Sequence, residues 1–198
     1  MPNWCTNSIY IYGEPKKLKM IEKILKSPSE KEDEGVFSKL IGKDDRYGED
    51  GWYAHNTDRF GTKWDIDFSE HQFTFDEECI TIHCETAWSP PTEFLMNFTA
   101  MYKLRAEMTY EEPGNDFAGK VEIHEGDIVV DESFGYAEGV YHFDNEYFWE
   151  SVIENQLEYW MDEDMEIEEV RDYYAFMSDE EKDEVVKLYE EYKKQYNE

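Results

Sequence analysis

Six short stretches of this chain alternate apolar and polar side chains with a period of two, and the helical stripes that fall between them leave few folds open. At 8–12 (Ser-Ile-Tyr-Ile-Tyr), ended by Gly13, Ile9 and Ile11 share one face of a strand while Tyr10 and Tyr12 take the other. Phe73 and Phe75 alternate with Gln72 and Thr74, and Ile80 and Ile82 with Thr81 and His83, so a hairpin turning at Asp76-Glu77-Glu78 is predicted. Residues 105–111 and 120–124 alternate again, and 127–131 follows a Glu125-Gly126 turn.

Helical spacing separates these strands. Pro15 suits an early helical position, Leu18, Ile21, Ile24 and Leu25 form one stripe, and Ser27-Pro28 stops it. Ser89-Pro90-Pro91 reads as a second helix start in which Ser89 caps the free amides, with Phe94, Leu95, Phe98, Met101 and Tyr102 as its stripe. Residues 29–35 read as a charged surface loop and 42–67 as an irregular insertion, while 36–41 fits either period. The resulting string contains β-α-β-β-α-β, the element order of a ferredoxin-like sandwich. The predicted class is α+β, with an insertion and added edge strands.

The last third is helical and acidic. Trp149, Ile153, Leu157 and Trp160 form one stripe and Val185, Tyr189, Tyr192 and Tyr196 another, with Ser178 and Glu181 as a capping box and a shorter helix through Ile167, Val170 and Tyr174. The whole chain carries 49 Asp+Glu against 19 Lys+Arg, a net of −30, and residues 132–198 hold 22 acidic against 5 basic side chains, a net of −17. The domains expected are 1–132, ferredoxin-like, and 133–198, an acidic helical extension, with no linker to sharpen the boundary. Abundant aromatic residues separate this chain from acidic disordered sequences.

Four motifs carry a resemblance: Met-Pro-Asn-Trp-Cys at 1–5, Phe-Gly-Thr-Lys-Trp-Asp at 60–65, Thr-Ala-Trp-Ser-Pro-Pro at 86–91 and Glu-Glu-Pro-Gly-Asn-Asp-Phe-Ala-Gly at 111–119. In that order they resemble the YubB-like ferredoxin-like domain family of phage and plasmid proteins, over roughly residues 1–132. The resemblance implies a ferredoxin-like fold and a mobile-element origin. It implies no reaction, and no catalytic residue is carried over.

The residues exclude several activities. A charge of −30 opposes direct nucleic-acid or anionic-membrane binding, because phosphate contacts need local Lys or Arg. The sheet face read as Thr81, His83, Glu85, Lys120, Glu122 and His124 is acidic and lacks stacking rings, and Lys16, Lys17, Lys19, Lys23 and Lys26 read as a solvated helix face. His83 and His124 are strand-borne without ligand spacing, and the acidic runs at 44–45, 49–50 and 162–166 lack the EF-hand order, so neither a metal nor a cofactor is expected. Cys5, Cys79 and Cys84 read as free thiols of a reducing compartment, and no run of 18 apolar residues occurs. A protein of the bacterial cytoplasm is expected.

The favoured function is a phage or mobile-element accessory protein that binds a basic surface of a host protein, as an acidic DNA mimic inhibiting host defence. Its partner-binding candidates are Glu158, Asp162, Glu163, Asp164, Glu166, Glu168 and Glu169, and Trp64, Asp65, Trp88, Asp116 and Phe117 are candidates for a cleft. The alternative is a small hydrolase or nucleotide-processing enzyme using Asp65, Glu111, Asp116 and His83 near the Trp-Ser-Pro-Pro and Glu-Pro-Gly-Asn-Asp motifs.

Overall fold

The computed structural model describes residues 3–28, 34–43, 45–69 and 71–196, and the chain divides into two compact units, Met1–Tyr136 and Ala137–Glu198. Met1 and Pro2 of the first motif, most of the charged stretch at 29–35, and Asp44 lie outside the described residues.

The first unit comprises β1 (Trp4–Tyr12), α1 (Pro15–Lys26), α2 (Val36–Ile41), α3 (Trp52–Phe60), β2 (Gln72–Phe75), β3 (Cys79–Ala87), α4 (Thr92–Tyr102), β4 (Arg105–Glu112), β5 (Phe117–His124) and β6 (Asp127–Phe134). All six strands join one antiparallel sheet in the order β2-β3-β1-β4-β5-β6. Since β1 is antiparallel to both β3 and β4, those two run parallel on either side of it, joined through α4. That split β-α-β, with α1 and β2 before it, is the ferredoxin-like arrangement. β5 and β6 lengthen its β4 edge.

Alternation along the strands puts one face of the sheet in the core. Ile9 and Ile11, Ile80 and Ile82, Ala106 and Met108, and Val121 and Ile123 meet Leu18, Ile21 and Leu25 of α1 and Phe94, Leu95 and Phe98 of α4. The undecided segment at 36–41 is α2, whose Phe37 stacks on Phe94 at 4.1 Å between ring centroids and meets Phe60 edge-on at 5.4 Å. The stretch expected to be irregular, 42–67, contains α3. That helix buries only His55 and Phe60, so it leaves no apolar stripe in the sequence. At the β5–β6 turn, Glu125 and Gly126 have φ of 48° and 98°, the left-handed pair of a tight hairpin; a Cβ on Gly126 would come within 2.7 Å of the Ala100 methyl.

The second unit begins within α5 (Tyr136–Phe143) and continues through α6 (Asn145–Tyr147), a π-helical turn (Phe148–Val152), α7 (Ile153–Asp162), α8 (Ile167–Asp172) and α9 (Asp179–Tyr196). Its core holds Val140, Phe148, Ile153, Leu157, Trp160, Val170, Tyr174, Met177, Val185 and Tyr189. Ser178 and Glu181 form the expected capping box: Glu181 accepts from the Ser178 N–H at 2.9 Å and donates its own N–H to the Ser178 hydroxyl at 3.3 Å. The stripe on α9 is shorter than its spacing implies. Tyr189 is buried with its hydroxyl 3.0 Å from the carbonyls of Trp160 and Met165, whereas Tyr196 is 68% exposed and rests on Tyr192.

Candidate functional site

Segments far apart in the sequence meet at one end of the first unit's sheet. The Trp88 N–H donates to the Asn3 carbonyl at 3.0 Å, the Thr62 hydroxyl to the Ala87 carbonyl at 3.0 Å, and the Ser89 hydroxyl to the Gly61 carbonyl at 2.6 Å. Ser89 is therefore a strut and not the helix cap expected of it. Pro90 and Pro91 move the start of α4 to Thr92, with Pro91 at the cap position and Ser89 out of reach of the free amides. Asn7 sits beneath this frame on the core-facing parity of β1, its amide nitrogen 2.8 Å from the Cys5 carbonyl and 2.9 Å from the Thr86 hydroxyl.

The frame displays tryptophans and consumes carboxylates. Trp4, Trp64 and Trp88 are 43%, 37% and 45% exposed. Trp4 and Trp64 lie 6.0 Å apart between ring centroids, and the Lys63 ammonium sits 4.6 Å over the Trp64 ring. Trp88 has φ of 75°, a backbone region that costs a bulky side chain energy. Phe117 is half-buried beside Tyr110.

Asp65 accepts from the N–H groups of Phe37, Ser38 and Ile66 at 2.7, 2.8 and 2.8 Å, so it caps α2 from a distant loop. Burial raises its carboxyl from the ordinary aspartate range, against the opposing pull of those hydrogen bonds. Asp116 accepts from the Tyr136 N–H at 3.0 Å, and buried Glu112 from Gly114 and Asn115 at 2.7 and 2.8 Å. Cys5 and Cys84 are buried thiols pushed up to about 12, Cys5 by burial and then Glu112, Cys84 by burial and then Glu85.

The open sheet face corrects one expectation. Its strand parity adds Tyr10 and Tyr12 of β1 to the residues named from the sequence, so the face does carry rings. Tyr10 meets His83 edge-on, and the Arg105 guanidinium lies 5.2 Å from the Tyr12 ring centroid. The cations here are engaged: Arg105 pairs with Glu107 and, at 3.6 Å, with Glu122, and Lys120 reaches Glu122 at 2.8 Å. His83 on β3 and His124 on β5 are separated by β1 and β4, at least about 14 Å from three strand spacings, too far to share an ion. Among the described residues there is no cluster of three or more His, Cys, Asp or Glu suited to a metal. Of the four acid–base candidates, His83 and Glu111 belong to the open face on strands separated by β1, while Asp65 and Asp116 serve separate backbone amides.

All seven partner-binding carboxylates of the second unit, Glu158, Asp162, Glu163, Asp164, Glu166, Glu168 and Glu169, are exposed. Glu166 and Glu169 form a reciprocal capping box at the start of α8. Glu154, Glu158 and Asp162 lie one turn apart on α7, a helix without a basic residue, and all three raise the Tyr192 phenol across from them on α9, after its burial and Tyr196. Glu158 and Asp162 of this row are among the partner-binding candidates read from the sequence; sequence reasoning missed Glu154, which completes the row, and also Trp4. The i, i+4 spacing of acids was the available signal for the first, and the strand parity opposite Cys5, Asn7 and Ile9 for the second.

Together these features define an α+β ferredoxin-like unit, extended by two strands and followed by an acidic helical unit. Residues 63–149 match the family model described as a ferredoxin-like domain in Api92-like protein, a span that runs past Tyr136. Among solved structures the chain is similar to the crystal structure of a protein api92 from Yersinia pseudotuberculosis, with a TM-score of 0.50 and 9% sequence identity, over 69% of this chain and 98% of that one. Identity this low carries the fold alone. No curated protein matches the chain. No helix among the described residues is long and apolar enough to cross a membrane.

Proposed function

We propose that this chain is an accessory protein of a phage or related mobile element, YubB-like in kind, that binds a basic surface of a host protein in the bacterial cytoplasm. In this reading the helical unit acts as a DNA mimic that blocks a nucleic-acid-binding defence protein. The observation that carries it is the carboxylate row Glu154, Glu158 and Asp162 on α7, continued by exposed Glu163, Asp164 and Glu168. Like charges one turn apart cost a helix about 0.2–0.5 kcal/mol per pair, so such a row is retained against local stability. A cationic partner offsets that cost and is steered toward the row from a distance.

Two of the three carboxylates that the enzyme reading needs hold backbone amides. Asp65 caps α2 and Asp116 holds the Tyr136 amide, which supports the interaction reading over a hydrolase. The test is capture from bacterial lysate with the tagged full chain beside a variant carrying Glu154→Gln, Glu158→Gln, Asp162→Asn, Glu163→Gln, Asp164→Asn and Glu168→Gln. The expected result is a basic nucleic-acid-binding protein retained by the wild type, released as salt rises, and absent from the variant. Equal retention by both chains would remove the proposal.

A further inference from the structure

The second unit contains a groove of about 490 Å³ lined by Trp149, Glu150, Ile153, Glu154, Leu157 and Leu188. Its floor is apolar: Ile153 and Leu157 are buried core residues of α7, and Leu188 comes from α9. Glu150 and Glu154 form an acidic wall, and the row Glu154, Glu158, Asp162 extends that wall along α7. Trp149 and Glu150 lie within the π-helical turn Phe148–Val152, where one extra residue per turn alters the angular placement of side chains. Such turns recur at functional sites because they trade helix regularity for the direction of particular side chains.

We infer that this groove is the recognition site for a cationic amphipathic peptide segment, an inference that rests on the basic-partner reading and says where and how that partner is held. An apolar anchor of the partner, of leucine or methionine size, enters between Trp149, Leu157 and Leu188. Lys or Arg residues one helical turn apart on the same segment lie along Glu150, Glu154, Glu158 and Asp162. Charge complementarity selects this occupant, because an anionic or neutral helix would leave the acidic wall unpaired and desolvated. The volume falls within the range of about 300–1,000 Å³ typical of ligand pockets, large enough for one or two anchoring side chains. A Lys of the bound segment over the Trp149 indole would add a cation–π contact, which favours the same ligand class.

This makes the site more than a field of charge: specificity comes from the anchor, and the carboxylates set rate and register. The test uses the full chain and two fluorescein-labelled helical peptides of equal charge, one with Leu and Lys on one face, the other with every Leu replaced by Ser. The Leu/Lys peptide is expected to bind about tenfold or more tightly than the Ser/Lys peptide and to shift the Trp149 indole resonance. Leu188→Trp, which fills the groove, is expected to bring the two peptides to equal affinity. Glu154→Gln/Glu158→Gln is expected to weaken both peptides by a similar factor. Trp149→Phe serves as a second groove variant, and the thermal midpoint of each variant establishes that it is folded. If both peptides bind the wild type equally and folded Leu188→Trp changes nothing, the groove assignment is overturned while the basic-partner reading stands. If neither peptide binds the wild type, both are overturned.

Discussion

Replacing Asp65 by Ala removes the acceptor for three backbone amides at once, those of Phe37, Ser38 and Ile66. Loss of a helix cap costs about 1 kcal/mol. Each buried donor left without a partner adds about 1–3 kcal/mol, less where water can follow. The expected loss for the first unit is therefore about 3 kcal/mol, and about half of that for Asp65→Asn, whose amide oxygen keeps part of the cap. Gly35 supplies the cross-check. A Cβ built on Gly35 would overlap the Asp65 carboxyl group, and its φ of −75° suits any residue. Gly35→Ala should thus destabilise the wild type, yet stabilise the Asp65→Ala background by about 0.5 kcal/mol through the unfolded chain. The assay is urea unfolding followed by signals from the first unit, arranged as a double-mutant cycle. Additive effects would refute the cap. The pH dependence has a definite sign. Because burial raises the Asp65 carboxyl, its linked stability is full below the unfolded value of about 4 and is lost as pH rises through the folded value. The stability gap between wild type and Asp65→Asn should be widest in acid and narrow toward neutrality.

Three further outcomes are expected. Native Cys5 and Cys84, pushed up to about 12, should resist alkylation at pH 8, with reactivity still rising well above pH 9; rapid labelling at pH 8 measured by mass spectrometry would contradict their burial. Trp88→Gly removes an exposed ring and relieves a positive φ, so its unfolding free energy should stay within about 1 kcal/mol of the wild type, and a loss beyond about 2 kcal/mol would make Trp88 a structural residue. Tyr189→Phe takes the buried hydroxyl from the carbonyls of Trp160 and Met165 and should cost the helical unit about 1–1.5 kcal/mol in thermal or urea melts; no loss would show that those carbonyls find other donors.

The strands and the first helix were legible because alternation and the helical stripe report directly on burial: Ile9, Ile11, Ile80 and Ile82 lie on the core face their parity assigns. Helix α3 was not legible, since only two of its residues are buried and its sequence holds no periodic run. The role of Ser89 was misassigned because capping depends on where a helix starts, and two prolines moved that start. Asp65 stood out as a motif carboxylate, but its amide partners lie 27 and 28 residues earlier, a long-range contact that no local pattern encodes. The rings of the open face were present in the sequence as Tyr10 and Tyr12; strand order, which puts β1 at the centre, is what brings them beside His83 and Arg105. Likewise Trp149 carried the right spacing for a core stripe, and only the π-helical turn and the packing of α9 place it on a groove.

The most direct test of the central claim is a competition: the basic nucleic-acid-binding protein captured by the full chain is purified, loaded with labelled duplex DNA, and titrated with the chain over a series of salt concentrations. The account predicts that the chain displaces DNA, that the displacement weakens steadily with salt, and that the variant with Glu154, Glu158, Asp162, Glu163, Asp164 and Glu168 neutralised fails to displace it. A partner that binds chain and DNA simultaneously, or an affinity unchanged by salt and by neutralising the row, would contradict it.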